Sequence, residues 1–76
     1  MKELLLYIAQ NLVDHPEAVT VTEREEDGEI TLELRVADGD MGKVIGHQGR
    51  IAKEIRTLVK SLAQRSDKRV NVDIVD

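Results

Sequence analysis

The sequence predicts an α+β fold, a two-layer sandwich in which three helices cover one face of a three-stranded mixed sheet, in the order α-β-β-α-α-β. Two stretches alternate apolar and polar residues on either side of an Asp27-Gly28 dipeptide. Two helical periodicities then separate the second of these from a third alternating stretch near the C-terminus. With 76 residues and 41% apolar content, the chain has material for one small core and too many apolar side chains to stay disordered. The expected organisation is one domain over residues 1–76.

The first element is a helix over Lys2–Val13. Leu5, Ile8, Ala9 and Leu12 fall at i, i+3, i+4 and i+7, one stripe of a 3.6-residue period, and Leu4 widens it. Leu6, Tyr7 and Val13 lie away from the stripe and need cover, either elsewhere in the domain or in a partner. His15-Pro16 stops the helix, because proline disfavours helical geometry in the residue before it. Val19 and Val21 then alternate with Thr20 and Thr22, and Ile30, Leu32, Leu34 and Val36 alternate with Thr31, Glu33 and Arg35. Both patterns have period two with one polar face, as in an antiparallel pair with one side in water. Asp27-Gly28 between them tolerates the positive φ angles of a tight hairpin turn.

Asp38-Gly39-Asp40 breaks the pattern, and Met41–Ile45 is long enough for a short helix. After Gly46-His47-Gln48-Gly49 comes a long amphipathic helix from Arg50 to about Gln64. Its expected buried stripe is Ile51, Ile55, Leu58, Val59 and Leu62, with Ala52 and Ala63 flanking it. Ser66-Asp67-Lys68 forms a polar loop, and Val70, Val72 and Ile74 alternate in a last strand. The second and third strands are thus joined through two helices, a crossover that favours parallel pairing.

Composition removes several classes of function. Zero Cys excludes disulfides, thiolate metal sites and a catalytic thiol. Two His far apart, serines without a neighbouring His, and no carboxylate cluster at ligand spacing leave no expected catalytic, metal or cofactor site. The acidic run Glu23–Glu29 reads as a solvated face around the hairpin turn. No run is long and apolar enough for a signal peptide or a membrane span, so the cytoplasm is the expected location. The net charge of −4 hides an asymmetry: residues 1–40 hold 3 basic and 11 acidic side chains, and residues 41–76 hold 8 basic and 4 acidic. Gly42–Arg65 carries Lys43, Arg50, Lys53, Arg56, Lys60 and Arg65 against Glu54 alone. Local field, not total charge, decides whether a polyanion docks.

A bare G-x-x-G is weak evidence, and the sequence holds two. Gly39-Asp40-Met41-Gly42 carries an acid, follows another and opens no long helix, so it is unsuited to phosphate. Gly46-His47-Gln48-Gly49 joins two helices with four residues. Its glycines permit backbone angles and close approaches that side chains forbid. Free N–H groups and the dipole at the start of the Arg50 helix are expected to suit an anion there. Arg50 stands beside them, Lys43 one short helix earlier and Lys53 one turn later.

Val44-Ile45-Gly46-His47-Gln48-Gly49-Arg50-Ile51-Ala52-Lys53-Glu54-Ile55 resembles the V-I-G-x-x-G-x-x-x-x-x-I signature of the KH domain. The leading helix and hairpin, with one strand after the motif, are similar to the type II (prokaryotic) arrangement. The likeness extends over the whole chain and is nearest to the small stand-alone bacterial KH proteins of the KhpA family, also in Asp40-Met41-Gly42-Lys43 and Arg56-Thr57-Leu58-Val59-Lys60. The resemblance implies single-stranded RNA held in a groove. The G-x-x-G loop and its helices would form one wall, and a strand with the loop at about Gln64–Arg69 the other. The implied RNA-binding positions are Lys43, Ile45, Gly46, His47, Gln48, Gly49, Arg50 and Lys53, and the implied role is that of an RNA chaperone or post-transcriptional regulator.

One departure stands out: such loops usually carry Lys or Arg between the glycines. A histidine of ordinary pKa is mostly neutral at pH 7, so His47 is expected to offer phosphate a hydrogen bond rather than a full charge. A solvated loop histidine without a role is the alternative for His47, and His15, at a helix end, reads as structural. The resemblance also implies pairing, as a homodimer or with a larger, KhpB-like KH protein, and the first helix is the first choice of surface. Two other functions remain in view. A KH-fold dimerisation module with weak RNA binding fits the acidic half and the surplus apolar residues. A DNA-binding helix-turn-helix is disfavoured, because the helix before the turn is short and the next one commits Ile51 and Ile55 to the core.

Overall fold

Each predicted element forms, and the differences lie in where it ends and which side it buries. The computed structural model describes residues 1–64 and 68–75, with the backbone alone at His47. The elements are α1 (Lys2–Leu12), β1 (Thr20–Glu26), β2 (Glu29–Arg35), α2 (Met41–Ile45), α3 (Arg50–Ala63) and β3 (Arg69–Val75), with 3-10 turns at Pro16–Ala18, Asp38–Asp40 and His47–Gly49. The sheet order is β1-β2-β3. β1 pairs antiparallel with β2 and β2 pairs parallel with β3. This is the mixed sheet expected from a hairpin followed by a helical crossover.

Asp27 and Gly28 both take positive φ, 52° and 78°, the geometry of the tight two-residue hairpin turn. They close on the Glu26–Glu29 pair, and the ladder continues without a break to Thr20–Arg35. β1 is therefore longer than its alternation suggests. Glu23–Glu26 has no apolar pattern, yet β2 extends its partner groups over the same length, and the ladder satisfies the backbone whatever the side chains are.

The sheet sends Val21, Leu32, Leu34, Val70 and Val72 to one face, where Leu5 and Ala9 of α1, Val44 of α2 and Ile55, Val59 and Ala63 of α3 meet them. Leu5, Leu32, Leu34, Val44 and Val59 are fully buried, and each such side chain is worth about 1.5–3 kcal/mol. The opposite face carries polar residues such as Thr22, Arg24, Glu33 and Asn71, with Arg24 and Glu33 paired at 3.9 Å.

Two expectations about packing need correction. α3 buries Ala52, Ile55, Val59 and Ala63, leaves Ile51 half-buried, and leaves Leu58 and Leu62 each 45% exposed. Ile55 and Val59 belong to both possible stripes, so periodicity alone does not choose between them. The alanine side wins because α3 packs on β3, and small side chains allow the closer approach. Leu6 on α1 and Val13 just after it pack against the core, so they need no partner, whereas Tyr7 stays 66% exposed. Among the described residues no helix is long and apolar enough to cross a membrane.

β3 lies at the edge of the sheet, and its free side is occupied at mid-strand. Arg56 of α3 donates from Nε to the Val72 carbonyl at 3.0 Å. Since Arg56 is midway along α3 and Val72 midway along β3, the strand runs back along the helix that precedes it. Arg69 N–H donates to the Gly28 carbonyl at 3.2 Å, so β3 begins beside the hairpin turn and ends toward the start of α3.

Candidate nucleic-acid interface

The Gly46–Gly49 loop is built from three local constraints. α2 ends when Gly46 N–H donates to the Gly42 carbonyl at 2.8 Å. Gly46 then takes φ 54°, ψ 142°, a region that only glycine enters without strain. A Cβ there would also come within 2.6 Å of Ile51 Cγ1 and closer still to Cδ1. Gln48 (φ 61°, ψ 34°) and Gly49 (φ 87°, ψ 5°) follow as two successive left-handed residues that turn the chain into α3. For Gln48, which has a Cβ, that conformation costs about 1–2 kcal/mol.

The expected free donors are partly spent. Gly49 and Arg50 N–H both donate to the Gly46 carbonyl, at 2.7 and 3.0 Å. Those bonds fold the loop into a tight turn and withdraw two amides from any anion at the helix start. The side chains of Arg50 and Lys53 are exposed, and among the described residues neither has an ion-pair partner. Together with Glu54, Thr57, Leu58 and Ser61 they line a wide, open depression along the outer side of α3. Ile45 stands at the end of α2 beside the loop, 38% exposed, and Gln48 is exposed. The hydrogen bond expected of the His47 side chain falls outside the described part of the chain.

Lys43 points elsewhere than the motif suggests. Its Nζ lies 3.6 Å from Asp14 Oδ2 on the α1–β1 connection, with both side chains well exposed. An exposed pair of this kind is worth at most about 1 kcal/mol, so the ammonium can be released to a phosphate at small cost.

Arg56 was not among the expected binding positions. It shares a flank of α3 with Lys53 and Lys60, at spacings of three and four residues. Its bond to Val72 turns that flank toward the free edge of β3. The sequence spacing carried the flank; the strand contact was not visible in it. Leu58, two residues on, sits about 160° around the helix from Arg56, so α3 has one cationic flank and one exposed apolar flank.

The far wall expected at about Gln64–Arg69 contains residues 65–67, which lie outside the described residues. Its flanks are informative. Arg69 is tied to Gly28 at the hairpin end of the sheet, and α3 has 14 residues, so the helix end that leads toward it lies about 21 Å from the helix start at 1.5 Å per residue.

The other G-x-x-G has no site geometry. Asp40 is 1% exposed. Its Oδ2 accepts from the His15 amide at 2.9 Å and faces His15 Nδ1 at 3.2 Å. Burial pushes its carboxyl pKa up, but hydrogen bonds from the His15 and Asp14 amides and the His15 ring outweigh that and hold it below the ordinary value. The structural reading of His15 agrees with this contact. Among the described residues no group of three His, Cys, Asp or Glu could hold a metal ion.

A family model described as the KH domain of KhpA/KhpB matches residues 2–74. The RNA-binding protein KhpA of Clostridium acetobutylicum is 56% identical over 75 residues, 99% of this chain and all of that protein. That of Listeria monocytogenes is 50% identical over the full length of both chains, and that of Chlamydia muridarum 49% identical over all of this chain and 97% of its own. Among solved structures, an Era variant of Aquifex aeolicus bound to GDP and AlF4− superposes with a TM-score of 0.65 at 20% identity, over 96% of this chain and 28% of Era. That likeness supports the fold alone.

Proposed function

The chain belongs to the KhpA/KhpB family of KH domains, a non-catalytic family, and from that premise we propose that it binds short single-stranded RNA beside the Gly46–Gly49 loop. The observation that carries this is the pair of exposed cations, Arg50 and Lys53, without an ion-pair partner among the described residues, directly after a loop tight enough for another backbone to approach. Lys43, Ile45, Gly46, His47, Gln48, Gly49, Arg50 and Lys53 are the binding positions. Arg56 extends them along α3, because Nε is committed to β3 and its remaining donors form a fork suited to paired acceptors. With Tyr7 the one aromatic residue, and that on α1, base contacts are apolar or hydrogen-bonded, which favours low sequence selectivity. A KH site engages about four nucleotides, so one domain binds weakly, as suits a cytoplasmic RNA chaperone or post-transcriptional regulator.

Filter binding with single-stranded RNA, single-stranded DNA and duplex DNA tests the reading. Single-stranded RNA should bind best, and log K against log[salt] should have a slope of about −1.4 to −2.1 for two or three phosphate contacts. Preference for duplex DNA, or a slope near −6, which is about eight or nine contacts on a single strand, would sink it.

Pairing is the second reading, favoured by Leu58 and Leu62 on the flank of α3 opposite Arg56. A second copy or a larger KhpB-like KH protein covers them and raises RNA affinity through effective concentration. This moves the pairing surface from α1, where Tyr7 alone of the three surplus residues stays exposed, to α3. Sedimentation equilibrium should give a dimer for the wild type and a monomer for Leu58→Glu; a wild type that stays monomeric at about 100 μM, well above a micromolar Kd, rules the homodimer out.

A further inference from the structure

We propose that Asp40 is a positioning residue that sets the Gly46–Gly49 loop, acting through α2; its effect on binding rests on the RNA reading above, its effect on the loop does not. α2 has five residues, too few to hold its own shape, since helices this short gain almost nothing from propagation. Its place must come from its contacts. Val44, one residue from its end, is fully buried, α3 packs along it, and α1 touches it. The end away from the loop is held by Asp40, which directly precedes Met41.

That hold is specific. Among the described residues, every donor to the Asp40 carboxylate belongs to Asp14 or His15, in the connection between α1 and β1. The group is nearly solvent-free yet its pKa is lowered, so it keeps its charge because these donors replace water. Lys43–Asp14 makes a second, exposed tie across the same seam. From Asp40 to Gly46 is six residues, about 9 Å of helical rise, joined by about one and a half turns whose last hydrogen bond runs from Gly46 N–H to the Gly42 carbonyl. Displacing the anchored end therefore moves the end that delivers Gly46, and with it the packing of Gly46 on Ile51.

A carboxylate fits this role better than an amide. Both His15 contacts fall on Oδ2, and a further amide, that of Asp14, also donates to the carboxyl group. An Asn side chain offers these donors one acceptor oxygen in place of two and brings an NH2 of its own, and a buried unsatisfied donor is costly.

The test compares Asp40→Asn, His15→Ala and, as a control of matched stability loss, Val21→Ala in β1. Amide spectra of Gly46, Gln48 and Gly49, recorded without RNA, report the loop. Binding of a mixed-sequence single-stranded RNA 12-mer reports function. Asp40→Asn should move the three loop amides and, if the loop's competent position falls to about one-tenth of the population, weaken RNA about tenfold. His15→Ala, which keeps the backbone donor, should move the same amides less. Val21→Ala should leave loop and affinity unchanged. Unmoved loop amides in a folded Asp40→Asn protein, or equal effects from Val21→Ala, overturn the proposal. Should Asp40→Asn not fold, His15→Ala decides, and unmoved loop amides there overturn it. A wild type that binds no RNA removes the RNA reading and leaves the loop-amide test standing.

Discussion

Three residues separate two G-x-x-G segments, and physically they have little in common. Gly39 and Gly42 have ordinary φ angles, and a Cβ at either meets nothing within 4 Å. Gly46 and Gly49 both take positive φ, and Gly46 is packed against Ile51. The first segment turns its acid inward, onto the α1–β1 connection; the second is followed by cations that face solvent. Glycine spacing is shared by both and explains neither. What sets the second apart is a backbone conformation that only glycine holds without strain, next to the start of a long helix.

The sharpest way to break this contrast is with charge. His47→Asp together with Gln48→Asp should abolish RNA binding, at least about a hundredfold or 2.7 kcal/mol, with the fold retained. Gly39→Asp in the first segment should leave affinity within about twofold, as for surface changes away from a site. Filter binding measures both, and equal affinity of the double variant and the wild type would remove the second loop from the mechanism.

Stability separates the segments next. Gly46→Ala should cost about 2–4 kcal/mol, from positive φ and from the clash with Ile51. Gly42→Ala, in a helix with open space around it, should stabilise by about 0.5 kcal/mol. Urea denaturation of the two variants reads the difference, and similar values would show that the loop tolerates a Cβ after all.

Acid should act through the first segment. The Asp40 carboxyl has a folded pKa below its ordinary 3.8, so its contribution is complete above about pH 4 and is lost as the pH falls through the lower folded value. The acid limb of a stability–pH curve should be shallower in Asp40→Asn, and an unchanged limb would mean that the carboxylate carries no linkage. The smallest effect belongs to Gln48→Gly, which relieves a left-handed residue at some cost in unfolded-state entropy and should stabilise by about 0.5–1 kcal/mol. A loss of stability there would place the side chain, not the backbone, in control of the turn.

Much of this was legible before the structure, and the reason differs by element. The hairpin, the extent of α2 and the start of α3 follow from neighbours in sequence: Asp27-Gly28 for positive φ, Gly46 and Gly49 for the helix junction, period two against 3.6. Such signals act over a few residues, so the chain itself displays them. They made the motif, and the family resemblance it carries, readable from the sequence.

The rest depended on partners distant in the chain. Whether α3 buries Leu58 and Leu62 or Ala52 and Ala63 is undecided by periodicity, because both stripes share Ile55 and Val59; closeness to β3 chose the alanines. The bond from Arg56 to Val72 spans 16 residues and that from His15 to Asp40 spans 25, with no local pattern to announce either. Local backbone chemistry determined which elements form and where the loop lies. Packing alone decided which side chains stay exposed along α3, which are spent on tying the elements together, and which apolar residues are left in water.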